Sequence, residues 1–141
     1  MSIFPDTSTN FGTRVDRRLQ TTKAIWLTTV GKDGTPQPNP VWFSWRGDEI
    51  LVYNQAGANR LAHLAVRPRV SLHLDGDGYG SDIVILTGSG EVLPDHPGPH
   101  EDEAYVQKYA ADMIRISGDV KRFGEAYPVA IRIVVDRVRG Y

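Results

Sequence analysis

Residues 24–75 contain the stretch that decides the fold: AIWLTTVGKDGTPQPNPVWFSWRGDEILVYNQAGANRLAHLAVRPRVSLHLD. The apolar run 24–30 predicts a β-strand, and the Asp33-Gly34 pair that follows it is typical of a tight hairpin turn. A second hairpin is predicted from strands over 41–45 and 49–53, which a short Arg-Gly-Asp turn separates. Two consecutive hairpins favour an antiparallel sheet.

A polar loop, residues 54–59, leads from the second hairpin into a helix predicted over 60–66. The first turn of a helix offers backbone N–H groups at the positive end of the helix dipole, and Arg60 stands in that turn. The pattern therefore suits a phosphate-binding site. The same residues also suit an ordinary helix start, with Asn59 as the N-cap and Arg60 in solvent, so both interpretations stay open here.

Three further strands are predicted over 69–75, 82–93 and 128–139, from period-two alternation or from continuous apolar runs. Gly88 and Gly90 inside one of these strands indicate a bulge or a bend. Six predicted strands, mostly joined by hairpin-type turns, favour a mainly β, α+β fold in which helices pack outside an antiparallel barrel.

Short helices are predicted over 13–20 and 101–116. The second has apolar residues at helical spacing, namely Tyr105, Tyr109, Met113 and Ile116. Residues 1–12 are expected to form a flexible N-terminal arm, and residues 13–141 a single domain.

The composition argues against several classes of function. Sixteen basic and seventeen acidic residues give a net charge of −1, so no overall field attracts nucleic acid or an anionic membrane. The chain has no cysteine, which excludes disulfides, thiolate metal sites and cysteine nucleophiles. No apolar run reaches membrane-spanning length, and a cytoplasmic location is expected. His96 and His100 are separated by Pro-Gly-Pro and predict no metal site, and no catalytic triad or carboxylate pair is recognisable.

Four blocks, in order, carry a family resemblance: residues 27–36, 40–43, 52–53 and 67–71. Together they resemble the pyridoxamine 5'-phosphate oxidase-like superfamily of flavin and deazaflavin oxidoreductases. The short chain and its closing sequence VRGY are most similar to the actinobacterial enzymes that use the deazaflavin coenzyme F420. The resemblance spans nearly the whole chain. It implies a six-stranded antiparallel split β-barrel with a few peripheral helices, and a homodimer with cofactor clefts between its subunits.

The resemblance also implies a cofactor site built from two segments. The ring-facing strand and its flank correspond to Asn39, Pro40, Val41, Trp42, Phe43 and Ser44. The ribityl-phosphate loop corresponds to Tyr53, Asn54, Gln55, Ala58, Asn59 and Arg60. Arg60 stands where the family usually has a phosphate-binding Lys or Arg, in agreement with the helix-start interpretation. No catalytic side chain and no metal ligand is implied.

Departures from the family pattern bear on the choice of cofactor. FMN-using oxidases of this superfamily carry basic residues on both flanks of the ring-facing strand and two at the helix start. This chain has Asn39 and Ser44 on the flanks and Asn59-Arg60 at the helix start. Charge-assisted bonds to phosphate contribute on the order of 1.5–3 kcal/mol each, so the missing charges disfavour tight FMN binding.

The expected function is therefore that of an F420-dependent oxidoreductase, which transfers a hydride between a deazaflavin and an unsaturated small-molecule substrate. The absence of a recognisable catalytic side chain agrees with this expectation, because the cofactor supplies the reactivity in such enzymes. Two alternatives stay open: an FMN-binding oxidase or reductase of the same fold, and a non-catalytic carrier of flavin or deazaflavin.

Overall fold

One antiparallel sheet organises the protein, whose computed structural model describes residues 3–141. Its seven strands lie in the order β2-β1-β5-β6-β7-β4-β3. The strands are β1 (Ala24–Val30), β2 (Pro36–Trp42), β3 (Ser44–Arg46), β4 (Glu49–Asn54), β5 (Arg69–His73), β6 (Val84–Leu93) and β7 (Val129–Gly140). The helices are α1 (Asn10–Thr21), α2 (Asn59–Val66), α3 (Glu103–Ser117) and α4 (Val120–Ala126), with a short 3-10 helix over Pro99–Glu101.

The sheet curls into a half-barrel because its two edge strands are consecutive in the chain. Trp42 at the end of β2 pairs with Ala24 of β1, whereas Ser44 at the start of β3 pairs with Leu51 of β4. Only Phe43 lies between these two pairs, so the chain crosses from one edge of the sheet to the other within one residue. The predicted antiparallel split β-barrel is confirmed.

The number of strands differs from the prediction. The strand predicted over 41–45 is two strands, because β2 begins five residues earlier, at Pro36, and the chain breaks at Phe43 before β3. Prolines at 36, 38 and 40 hide β2 in the sequence, since proline cannot donate to a sheet and is rare inside one. The protein tolerates them because β2 is an edge strand. The other predicted strands are confirmed, with ends that differ by at most two residues.

Two glycines are required where the backbone turns or crowds. Gly34 has a φ of 85° in the β1–β2 turn, which fits the predicted tight hairpin. The register between β6 and β7 shifts at Thr87/Gly88, so the predicted bulge is confirmed. A Cβ at Gly88 would lie 2.2 Å from the carbonyl oxygen of Val134, which leaves no room for a side chain.

The helices at the two ends of the chain depart from the prediction. Helix α1 begins at Asn10, three residues early, because Thr9 caps it: the Gly12 N–H donates to Thr9 Oγ1 at 2.9 Å. Residues 10–12 of the predicted arm are therefore helical, and residues 1 and 2 lie outside the described part. Helix α4 was not predicted, because it is only seven residues long and contains Gly124.

Helix α3 confirms the predicted helix over 101–116, with Asp102 as its N-cap. Tyr105, Tyr109 and Met113 are buried as expected, but Ile116 is 48% exposed. The described residues contain no helix that is long and apolar enough to cross a membrane.

Strand β4 separates two apolar cores. Its residues Ile50 and Val52 belong to the core of the barrel, to which α1 and α2 also contribute. Its residues Leu51 and Tyr53 belong to a second core with α3 and α4. The second core contains Tyr105, Tyr109, Met113 and Phe123. It holds the helical layer against β4 and against the end of β2.

Candidate cofactor site

A cavity of about 240 Å³ lies between the end of β2, strand β4 and the helices α3 and α4. Five residues implied by the family resemblance line it: Pro40, Val41, Trp42, Tyr53 and Arg60. The helical layer adds four that sequence reasoning did not assign to the site: Tyr105, Ile116, Phe123 and Tyr127. The structure thus brings the end of β2, the end of β4, the start of α2 and the helical layer together.

Arg60 is the only charged side chain among the described residues that line this cavity. It is half-buried, and its Nη1 donates to Asn54 Oδ1 at 2.6 Å. Asn54 is itself buried, and its Nδ2 donates to the carbonyls of Val52 and Val129, each at 3.0 Å. The side-chain amide of Asn54 is therefore fixed by the backbone, and it fixes the orientation of the Arg60 guanidinium.

The charge of Arg60 is not balanced by a neighbouring acid. Within residues 3–141, no carboxylate forms an ion pair with its guanidinium. Burial lowers the pKa of Arg60 from its ordinary value, although a guanidinium stays charged at neutral pH. A half-buried guanidinium without a carboxylate is suited to bind an anionic ligand.

The start of helix α2 favours the phosphate interpretation of the loop. The helix begins at Asn59, so Ala58 occupies the N-cap position, and no side chain caps the helix. The interpretation of Asn59 as an ordinary N-cap is therefore wrong. The Leu61 N–H donates to the Ala58 carbonyl at 3.1 Å. Because no side chain caps the N–H groups of Asn59 and Arg60, these two are available to an anion at the same end of the helix as the Arg60 side chain.

Aromatic rings form one wall of the cavity. Trp42 stacks on Tyr109 with ring centroids 4.8 Å apart and on Phe123 at 5.3 Å. Phe123 in turn stacks on Tyr127 at 4.5 Å. Sequence reasoning missed Phe123 and Tyr127 because it did not predict α4, and it assigned Tyr105 to a helix face only. A wall of this kind is suited to a planar conjugated ligand.

Tyr109 anchors the chain where it crosses from β2 to β3. Its hydroxyl accepts the Phe43 N–H at 2.9 Å and donates to the Lys23 carbonyl at 2.6 Å. Lys108 Nζ donates to the Phe43 carbonyl at 3.1 Å and lies 3.9 Å from the centre of the Phe43 ring. Burial, together with the charge of Lys23, lowers the pKa of Lys108 to about 8. These contacts fix the chain at the end of β2.

Tyr53 lines a second cavity as well, of about 500 Å³, with Arg46, His96 and Asp102. Its hydroxyl donates to Asp102 Oδ2 at 2.8 Å, and Arg46 forms an ion pair with the same carboxylate. Burial and the Asp102 carboxylate raise the pKa of the Tyr53 hydroxyl. Asp102 also caps α3, so its oxygens are occupied by structural contacts. Sequence reasoning missed this pair because 49 residues separate its members.

The other predicted site residues lie around the cavity and do not line it. Asn39, Gln55 and Asn59 are exposed, Ala58 is half-buried, and Phe43, Ser44 and Asn54 are buried. Ser44 is 5% exposed, and its Oγ accepts from Arg46 Nε at 3.3 Å. A cation in the place of Ser44 would therefore be buried.

Two histidines on the barrel make contacts within the fold. His63 Nδ1 lies 2.8 Å from Thr29 Oγ1, and His73 stacks on Trp26 with centroids 6.1 Å apart. In the described part of the chain, no cluster of three or more His, Asp or Glu side chains could hold a metal ion.

The curled antiparallel sheet and its peripheral helices place the protein in the split β-barrel class, which includes flavin-binding oxidoreductases. A family model described as pyridoxamine 5'-phosphate oxidase matches residues 11–140, and the chain belongs to this family.

Solved structures with the same fold include proteins of different described roles. The conserved hypothetical protein Rv2991 from Mycobacterium tuberculosis is 23% identical, with 90% of this chain and 81% of that chain covered, at a TM-score of 0.69. An F420 reductase is 17% identical, with 88% of this chain and 94% of that chain covered, at a TM-score of 0.61. HutZ, the heme storage protein from Vibrio cholerae, is 15% identical, with 94% of this chain and 95% of that chain covered, at a TM-score of 0.64. Identities this low show the fold alone. No curated protein matches the chain.

Proposed function

We propose that this protein is an F420-dependent oxidoreductase that transfers a hydride between the deazaflavin and an unsaturated organic substrate. The observation that carries the proposal is Arg60, a half-buried guanidinium without a carboxylate at the uncapped start of α2. It faces the same cavity as the end of β2 and the aromatic wall. Membership of the family and the fold shared with an F420 reductase support the same function.

The residues of the cavity fit a ligand with a planar ring and an anionic tail. Arg60 and the N–H groups at the start of α2 would hold the phosphate, and the segment Pro40–Trp42 would lie along the ring. Tyr53 would act as a fixed wall, since Asp102 holds its hydroxyl. When bound, the deazaflavin supplies the two-electron chemistry, so the protein has to bind the ring, orient it and exclude water.

The number of cations favours the deazaflavin over FMN. FMN ends in a phosphate monoester, which carries a charge of about −1.5 to −2 near neutral pH. At the corresponding position the deazaflavin coenzyme has a phosphate diester, whose single charge one guanidinium can balance; the acidic tail of the coenzyme continues beyond this phosphate. Arg60 is the one cation that lines the cavity among the described residues, and neither Asn39 nor Ser44 adds another.

Two alternative functions are retained. An FMN-binding oxidase or reductase would use the same cavity and the same Arg60. A non-catalytic carrier is favoured by one observation: in the described residues, the cavity lining contains no carboxylate and no histidine. A protein described as a heme storage protein shares the fold, so storage is compatible with this architecture.

The cofactor is identified by titration of the purified protein with oxidised deazaflavin and with FMN, followed by fluorescence. We expect a colourless preparation that binds the deazaflavin more tightly than FMN. A yellow preparation that retains stoichiometric FMN would contradict the proposal and support the first alternative. An enzyme should also oxidise reduced deazaflavin faster when an unsaturated acceptor is added, whereas a carrier would bind the cofactor without turnover.

We also propose that the protein is a homodimer in which a second copy completes the cleft. Residues Pro36 to Pro40, five of the seven residues of β2, are exposed on both faces of the strand, so this part of the strand lies outside the cores of the single chain. Light scattering after size-exclusion chromatography should give about twice the chain mass of 15.7 kDa. A monodisperse monomer at micromolar concentration would contradict the shared cleft.

A further inference from the structure

Strand β2 forms one edge of the sheet and carries a proline at every second position. Pro36, Pro38 and Pro40 lie opposite Val30, Thr28 and Trp26 of β1, and all three prolines are exposed. A proline has no N–H, so its place in the alternating hydrogen-bond pattern determines what the strand offers to a ligand.

The pattern of the β1–β2 ladder follows from its turn. The Gly31 N–H donates to the Thr35 carbonyl at 3.1 Å, so this pair is hydrogen-bonded. In an antiparallel ladder, hydrogen-bonded pairs alternate with pairs that are not hydrogen-bonded. The next pair, Val30 with Pro36, is therefore not hydrogen-bonded, and the same holds two and four residues further along β2.

At such positions both backbone polar groups point away from the neighbouring strand. The carbonyl groups of Pro36, Pro38 and Pro40 therefore face the free edge of β2, and no N–H group accompanies them. By the same alternation, the first N–H on this edge belongs to Trp42, which pairs with Ala24. From Pro36 to Pro40 the edge consists of hydrogen-bond acceptors alone.

An acceptor-only edge restricts what can bind. Another strand would form only half of its ladder bonds there, because the prolines return no N–H donors. A ligand whose N–H groups face the edge satisfies these carbonyls, whereas a ligand carbonyl or an unprotonated ring nitrogen is left without a partner. Pro40 also lines the cavity assigned to the cofactor ring, so the edge and the site are continuous.

Oxidised and reduced deazaflavin differ in one hydrogen-bonding group of the ring. Two-electron reduction delivers a hydride to a ring carbon and a proton to a ring nitrogen, so the reduced ring has one more N–H donor. We propose that the ring nitrogen protonated on reduction faces the part of this edge next to the cavity, at Pro38 and Pro40, and that this contact makes the site selective for the reduced form of the deazaflavin. This inference rests on the proposed function and adds a preference of oxidation state to it.

The test measures dissociation constants for both oxidation states under anaerobic conditions, by quenching of tryptophan fluorescence. One hydrogen bond contributes about 0.5–1.5 kcal/mol net, so we expect the reduced form to bind the wild-type protein about two- to twelvefold more tightly. For a two-electron couple, a tenfold preference raises the reduction potential of the bound cofactor by about 30 mV.

Variants at two prolines test whether the edge causes this preference. Pro40→Ala adds an N–H donor beside the cavity and should lower the affinity ratio towards one. Pro36→Ala adds the same donor about 13 Å further along the strand and should leave the ratio unchanged. Pro38→Ala, which should have an intermediate effect, replaces Pro40→Ala if that variant does not fold.

The outcomes separate this inference from the proposed function. Equal dissociation constants for the two oxidation states, or a ratio that Pro40→Ala and Pro38→Ala leave unchanged, would contradict the role of the edge and leave the proposed function intact. If neither oxidation state binds, both the inference and the proposed function are wrong.

Discussion

Replacement of Arg60 by alanine is expected to weaken deazaflavin binding by about ten- to a hundredfold, because a charge-assisted contact of roughly 1.5–3 kcal/mol is lost. In the described chain, no other cation lines the cavity to compensate. Titration of the variant with oxidised deazaflavin measures the change. Arg60→Lys, which keeps the charge but not the planar fork of donors, should recover part of the affinity.

The structure adds a cost to this variant that the sequence does not predict. An exposed arginine is expected to contribute little to stability, but Arg60 donates to the buried Asn54 Oδ1. Without the guanidinium, this oxygen is left unpaired, and we expect the free energy of unfolding to fall by about 1–3 kcal/mol. Both quantities should therefore be measured on the same variant.

Arg69→Ala is the matched control for Arg60→Ala. Arg69 forms an ion pair with Asp136 and is exposed, and it does not line the cavity. Its removal should leave the deazaflavin dissociation constant unchanged and change stability by at most about 1 kcal/mol. If Arg60→Ala binds deazaflavin as tightly as this control does, the phosphate is bound elsewhere.

Among the variants proposed here, replacement of Tyr109 by alanine is expected to lower the free energy of unfolding most, by about 3–5 kcal/mol, because a buried aromatic ring is removed. Tyr109 is completely buried, stacks on Trp42 and holds the backbone of Phe43 and Lys23. Urea unfolding, followed by tryptophan fluorescence, measures the change. Such a loss is a large share of the 5–15 kcal/mol that is typical of a folded domain.

Tyr109→Phe separates the hydroxyl from the ring. This variant keeps the stack on Trp42 but leaves the buried Phe43 N–H without its acceptor, which should cost about 1–3 kcal/mol. Tyr79→Phe is the control, since Tyr79 is 93% exposed and loses only a solvated hydroxyl. Equal stability of the two phenylalanine variants would show that the hydroxyl of Tyr109 does not anchor the crossing at Phe43.

The sequence predicts the strands of this protein well where the signals are local. Strand β1 follows its apolar run, and the turn after it follows the Asp33-Gly34 pair. The same local signals do not predict the first part of β2, because Pro36, Pro38 and Pro40 are residues that rarely occur inside a strand. They are tolerated only because β2 lies at the edge of the sheet, and the position of a strand within a sheet is a property of the whole fold.

The residues of the candidate site also divide into those that local sequence signals predict and those that they do not. The order of a loop and a helix start places Arg60 near backbone N–H groups, and these residues are close neighbours in the chain. Apart from Trp42, the aromatic wall comes from α3 and from α4 with its C-cap Tyr127, more than 40 residues further along the chain than Arg60. Helix α4 was not predicted, so neither Phe123 nor Tyr127 could be assigned to the site from the sequence.

What the sequence by itself determined is most of the turns and helices, with α4 and the first part of β2 as the exceptions, because a turn or a helical repeat depends on hydrogen bonds between residues only a few positions apart. Only the tertiary structure decided which of these elements meet. Tyr109 reaches Phe43 across 66 positions, and Tyr53 reaches Asp102 across 49. Such contacts form because the sheet curls at Phe43 and α3 packs on β4. Their energies depend on burial and exact distance, and no spacing rule along the chain encodes either quantity.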